Sequence, residues 1–133
     1  MRPTRVLETC VYTDDLDAAE RFYTTVLDLE VIARVAGRHV FFRCGHGVFL
    51  VFNPAQTSKP GGELPPHGPT GAVHAAFAIH ASELPAWRAR LEEHGVTVEA
   101  EISWPKGGSS LYFRDPAGNS IELTTPAIWG LRE

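Results

Sequence analysis

Three residues have the types and settings that metal chemistry needs. Glu8 in Leu7-Glu8-Thr9, His74 in Val73-His74-Ala75 and Glu122 in Ser120-Ile121-Glu122-Leu123 are polar groups inside otherwise apolar, strand-like runs. Two carboxylates and one imidazole suit a divalent cation that takes oxygen and nitrogen donors and keeps positions open for a substrate. An open position lets a metal polarise a substrate oxygen or activate a bound molecule. The two carboxylates would neutralise the ion; without it they would repel and raise at least one pKa. Taken singly, each residue has an ordinary explanation, because a strand glutamate usually faces water and a lone histidine is more often structural. No His-x-x-x-His spacing supports them, so the link between them has to come from the elements that carry them.

Those elements repeat. Residues 110–126 read as a β-hairpin: Leu111-Tyr112-Phe113 and Ser120-Ile121-Glu122-Leu123-Thr124 are β-prone runs, and Asp115-Pro116-Ala117-Gly118-Asn119 supplies the turn. In the first half, residues 6–13 alternate like a strand, Asp14-Asp15 offers a helix cap, and Leu16, Ala19, Phe22, Tyr23 and Val26 follow at helical spacing. Three strand-like runs follow at 31–35, 39–43 and 48–52. A proline- and glycine-rich stretch, 54–70, reads as a loop between halves. The order then restarts with a strand over 71–80, a helix from Ala81-Ser82-Glu83 through Trp87, Leu91 and His94 to Gly95, a strand over 96–102 and the hairpin.

Each half is therefore a βαβββ module, 5–53 and 71–126, and the chain is expected to be one α+β domain of two tandem modules. Laying Phe113-Arg114 and Ile121-Glu122-Leu123 on Phe42-Arg43 and Val48-Phe49-Leu50 pairs Glu8 with His74 and Glu122 with Phe49. On that alignment, three of four related positions carry metal-binding groups and an aromatic ring plugs the fourth.

Composition narrows the function classes. At 133 residues, with 44% hydrophobic and 21% charged residues, the chain has the material for one compact core. A net charge of -4 leaves no basic footprint for nucleic acid, so a small-molecule partner is expected instead. The two cysteines, Cys10 and Cys44, do not make a disulfide scaffold. With no signal-like or membrane-length apolar run, a cytoplasmic protein without membrane contact is expected.

Glu8-Thr9-Cys10-Val11-Tyr12-Thr13-Asp14-Asp15-Leu16, Arg21-Phe22-Tyr23, Val73-His74-Ala75-Ala76-Phe77 and, above all, Asp115-Pro116-Ala117-Gly118-Asn119-Ser120-Ile121-Glu122 resemble the vicinal oxygen chelate superfamily. Its members include glyoxalase I, bleomycin resistance proteins, fosfomycin resistance transferases and extradiol dioxygenases. The resemblance implies paired modules forming a cup-like mixed sheet around one divalent ion (Fe, Mn, Zn, Ni or Co), held by Glu8, His74 and Glu122. It also implies a homodimer, and it matches Tyr112 to a substrate-holding tyrosine of the fosfomycin transferases. Departures are informative. Phe49 replaces the fourth glutamate ligand usual in glyoxalase I, and Glu8 stands where three-ligand relatives generally have histidine.

The resulting expectation is a metal-dependent enzyme, dioxygenase-like in the first instance, with a glyoxalase-like lyase or thiol transferase as the alternative. Glu8, Glu122 and Tyr112 are the candidate catalytic groups. Phe49, Ser110, Lys106, Trp104, Arg43 and His39, with Tyr112, are the candidate substrate contacts. From a different class, a metal-free binder would use Trp104, Tyr112 and Phe49 as a stacking surface. No nucleotide-binding glycine fingerprint is present.

Overall fold

A computed structural model describes residues 1, 6–61, 66–69 and 71–132, in two compact units, Met1–Val73 and His74–Glu133. Residues 62–65 and 70 of the expected linker, and residues 2–5 at the expected start of the first module, lie outside the described residues.

In the first unit β1 (Glu8–Tyr12) is followed by α1 (Leu16–Thr25), β2 (Glu30–Val35), β3 (His39–Cys44) and β4 (Gly47–Phe52). The sheet runs β1-β4-β3-β2, with β1 parallel to β4 and the other pairs antiparallel. The second unit repeats the pattern: β5 (His74–Ala78), a 3-10 turn (Ala81–Glu83) leading into α3 (Leu84–Glu93), β6 (Ala100–Ser103), β7 (Ser109–Arg114) and β8 (Ser120–Thr124), in the order β5-β8-β7-β6. The sheet again has one parallel pair, β5 with β8. The doubled βαβββ order expected from the sequence is thus present as two four-stranded mixed sheets. The linker is not wholly a loop: Pro54–Thr57 forms a short helix, α2, because Asn53 Oδ1 accepts from Ala55 N at 3.0 Å and proline is pre-set for a first helical turn.

Alternation gives each sheet a helix-covered and an open face. In the first unit Val11, Val40, Phe42, Phe49 and Val51 are buried at 1% exposure or less. Asp15 caps α1 by accepting from Ala18 N at 2.9 Å, and the helix seats Tyr23 at 4.8 Å from the Phe49 ring and 5.6 Å from Phe42. Burying each such ring contributes roughly 2–3 kcal/mol. The open face carries the residues of opposite parity: Glu8, Cys10 and Tyr12 on β1, Val48, Leu50 and Phe52 on β4, and Arg43, Phe41 and His39 on β3. In the second unit Ala75, Phe77, Leu111, Phe113, Ile121 and Leu123 are buried on one face. His74, Ala76, Ala78, Ser120, Glu122, Thr124, Ser110 and Tyr112 have the opposite parity.

Candidate metal centre

A turn built by its own side chains sets the register of the site. Asp115 Oδ1 accepts from Ala117 N at 3.0 Å and Asn119 N at 2.8 Å, while Asn119 Nδ2 donates to Asp115 Oδ2 at 2.8 Å. Gly118, at φ +82°, takes the left-handed conformation that a side chain would penalise. With the turn closed in this way, Tyr112 stands opposite Glu122 and Ser110 opposite Thr124. On the other side of β8, His74 pairs with Ser120 and Ala76 with Glu122.

This register brings His74 and Glu122 together, with Nε2 3.4 Å from Oε2. The other imidazole nitrogen, Nδ1, lies 3.0 Å from the Ser120 carbonyl oxygen, which can only accept, so Nδ1 carries a proton. In the neutral ring Nε2 then presents a lone pair to a carboxylate oxygen. Two acceptors face one another, an arrangement stable only with a positive charge between or on them. An imidazole oriented through its second nitrogen is also the usual state of a metal-binding histidine. The carboxylate points the same way: Glu122 is 5% exposed, and its Oε1 is buried with no hydrogen-bond partner among the described residues. An unpaired buried carboxylate oxygen is costly without a cation. The residues present therefore fit a divalent ion, with His74 Nε2 and Glu122 as donors.

Tyr112 closes one side, its ring 6.4 Å from that of His74 and tilted by only 24°. Burial, then the neighbouring Glu122 carboxylate, hold its phenol above the usual tyrosine value, against an opposing contribution from Ser110. At neutral pH Tyr112 is thus a hydrogen-bond donor. The main-chain carbonyl of Ser120 had no signal in the sequence, since every residue carries a carbonyl and only strand register selects one.

Other expectations need correction. Among the described residues no three His, Cys, Asp or Glu side chains gather to hold an ion. Glu8 is the exposed first residue of β1, in the first unit. Phe49 does not line the open face. It is 1% exposed and packs on Tyr23 under α1.

The alignment that paired Phe49 with Glu122 was off by one residue, which in a strand exchanges the two faces. Arg43 pairs with Val48 and Arg114 with Ser120, so the counterpart of Glu122 is Leu50. Ser110, fully buried, spends its hydroxyl on Trp104 and Thr124, so it positions rather than contacts. His39 is 9% exposed and stacks on Phe41 at 4.0 Å, which places it inside a ring cluster. Arg43 is exposed on the open face of the first unit, and Lys106 is exposed in the turn between β6 and β7.

A hollow of about 610 Å³ in the first unit, lined in part by Asp14, Asp15, Asp17 and Arg34, is acidic but committed: Asp15 caps α1 and Asp17 pairs with Arg34. Both cysteines are free thiols, and no helix among the described residues is long and apolar enough to cross a membrane.

Comparison with known proteins agrees with this architecture. A family model described as the Glyoxalase/Bleomycin resistance protein/Dioxygenase superfamily matches residues 5–123. Metallothiol transferase FosB of Bacillus licheniformis is 30% identical over 116 residues, 86% of this chain and 71% of that protein. The FosB of Staphylococcus epidermidis is 30% identical over 130 residues, covering 96% and 86% respectively. Among solved structures, lactoylglutathione lyase from Agrobacterium tumefaciens superposes with a TM-score of 0.94 at 40% identity, over 98% of this chain and 100% of that one. The fosfomycin resistance protein FosX from Mesorhizobium loti shares the fold, with a TM-score of 0.62 at 23% identity over 94% and 93%. A family match across nearly the whole chain, a doubled βαβββ fold and relatives of this closeness place the chain in the glyoxalase/bleomycin resistance protein/dioxygenase superfamily.

Proposed function

We propose that this chain is a divalent-metal-dependent enzyme acting on a small oxygen-bearing substrate joined to, or about to be joined to, a thiol. The observation that carries the reading is the His74 Nε2–Glu122 Oε2 approach of 3.4 Å, with the imidazole already oriented through Nδ1. The thiol component is supported by the relatives, since both metallothiol transferase and lactoylglutathione lyase have a thiol compound in their names. This sets lyase or transferase chemistry beside the dioxygenase expectation, and it is the reading taken here.

Bound between His74 and Glu122, the ion would polarise adjacent substrate oxygens as a Lewis acid. The protein residues divide the rest. Tyr112, protonated at neutral pH, donates a hydrogen bond to a substrate oxygen on which negative charge grows. Glu122, with one oxygen that has no hydrogen-bond partner among the described residues, can take a proton from carbon or from the incoming thiol. Ala76 and Ala78, on the parity of His74, leave space above the strands. Glu8 is proposed as the third donor, contributed by this chain or by a second copy in a homodimer.

Metal analysis with activity assays tests this. Stoichiometric Mn, Ni, Zn, Co or Fe is expected, with turnover of a thiol plus an epoxide or 2-oxoaldehyde and no oxygen uptake on catechols under Fe(II). Oxygen uptake would restore the dioxygenase reading, and a protein that binds no metal would be a small-molecule binder. Tyr112→Phe should lower kcat about 10- to 100-fold while leaving metal content unchanged.

A further inference from the structure

The open face of the second unit has a feature beyond the metal pair. The Trp104 indole Nε1 donates to Ser110 Oγ at 2.9 Å, and Ser110 Oγ lies 2.8 Å from Thr124 Oγ1, which in turn donates to the Ser109 carbonyl at 3.4 Å. An indole N–H can only donate, so Ser110 Oγ accepts from Trp104, while either hydroxyl can donate across the Ser110–Thr124 contact. The loop that carries Trp104 is tied down as well. Trp104 N donates to Gly108 O at 3.0 Å, and a Cβ on Gly108 (φ +88°) would come within 2.6 Å of Ile128 Cγ2. Only glycine lets this loop close against the end of β8.

The indole is thus held by its polar edge while 37% of the residue stays exposed. With its N–H already satisfied, what it offers to a ligand is an apolar π surface. Ser110 lies opposite Thr124, two residues along β8 from Glu122 and on the same face. Two residues along a strand span about 7 Å.

We propose that Trp104 is a specificity-determining residue that stacks on a flat, unsaturated or aromatic part of the substrate, on the Ser110 and Thr124 side of the oxygens held at His74 and Glu122. This rests on the metal reading above and adds the substrate's second half: an oxygen chelate at one end and a planar apolar group at the other. Ser110 is a positioning residue, acting through the indole. Such a device suits a ligand with a ring better than a compact aliphatic one.

The test is calorimetric titration of Mn(II)-loaded protein with lactate, mandelate and 3-phenyllactate, which share a 2-hydroxy acid chelate and differ in the presence and reach of a phenyl ring. At least one phenyl compound should bind about tenfold tighter than lactate. Trp104→Ala should bring the three to within about twofold of one another, Trp104→Phe should keep most of the preference, and Ser110→Ala should narrow it severalfold with Mn(II) binding unchanged. Trp129→Ala, at a residue 77% exposed beyond β8, should change none of them. Equal binding of all three acids to protein that does bind Mn(II), or a preference that survives Trp104→Ala, overturns the inference and leaves the metal centre standing. Failure to bind Mn(II) overturns the metal reading and this one with it.

Discussion

The two open sheet faces are built on one topology with different chemistry. Position for position, Glu8, Cys10 and Tyr12 of β1 answer to His74, Ala76 and Ala78 of β5, while Leu50 and Phe52 of β4 answer to Glu122 and Thr124 of β8. Across the next strand, Phe41 and His39 answer to Tyr112 and Ser110. The first unit fills its face with rings. Phe52 meets Phe41 at 5.2 Å, His67 at 4.7 Å and Tyr12 at 6.3 Å, and the Tyr12 hydroxyl is 2.7 Å from His67 Nδ1. The second unit keeps small residues, a carboxylate with an orphaned oxygen and an imidazole beside it. One face pairs Tyr12 with His67 beneath its rings, and the other holds a buried Glu122 oxygen with no hydrogen-bond partner among the described residues. The difference teaches where to look for chemistry: at the face whose electrostatics are incomplete.

Substitutions that exchange the two characters sharpen the contrast. The largest effect is expected from Phe49→Ala, which should cost about 4 kcal/mol in urea denaturation because a fully enclosed ring leaves a cavity. A loss below about 1 kcal/mol would break the assignment of Phe49 to the helix-covered face. Leu50→Glu, which writes the Glu122 chemistry into the first unit at a residue 7% exposed, should cost about 3 kcal/mol and create no Mn(II) site, since no imidazole faces it across β1. The reverse exchange, Glu122→Leu, should stabilise the metal-free protein by about 1–2 kcal/mol while removing the melting shift that Mn(II) produces. Metal-free Glu122→Leu protein that melts below the wild type would mean that Glu122 is satisfied without an ion.

The smallest effect is a pH dependence confined to the first unit. Burial, then the Arg38 guanidinium, hold His39 below the ordinary value of 6.5, so the folded protein favours the neutral ring. The sign follows: the stabilisation is complete above 6.5 and is lost as pH falls through that value toward the lower folded one. His39→Gln should therefore flatten the stability profile on the acid side of neutrality, read by denaturation at a series of pH values, with no change above pH 7.5 or so. An identical acid-side slope in the variant would remove His39 from the account.

Much of this was legible beforehand because it is local. Asp115, Gly118 and Asn119 announce a turn by their own side-chain and backbone chemistry, and Asp15 announces the start of α1 in the same way. The partnership of His74 and Glu122 was legible only through the repeat, since 48 residues separate them in the chain. Reading Phe49 as a site residue failed because the two hairpins have turns of different length. The unequal turns offset the two return strands by one residue, and alternation makes a one-residue offset a change of face. Reading Ser110 as a substrate contact failed for another reason: a serine on the correct face can be claimed by neighbours on two other strands or loops, as Trp104 and Thr124 claim it.

The order of nearest neighbours along the chain therefore determined the doubled βαβββ plan, the turn that aims Glu122 and the polar positions worth testing, because capping, turn geometry and alternation act over a few residues. Tertiary structure decided which polar group meets which. Register across β5, β8 and β7 put an imidazole, a buried carboxylate and a phenol together, and burial made the unmatched carboxylate oxygen expensive, since only a folded sheet removes it from water.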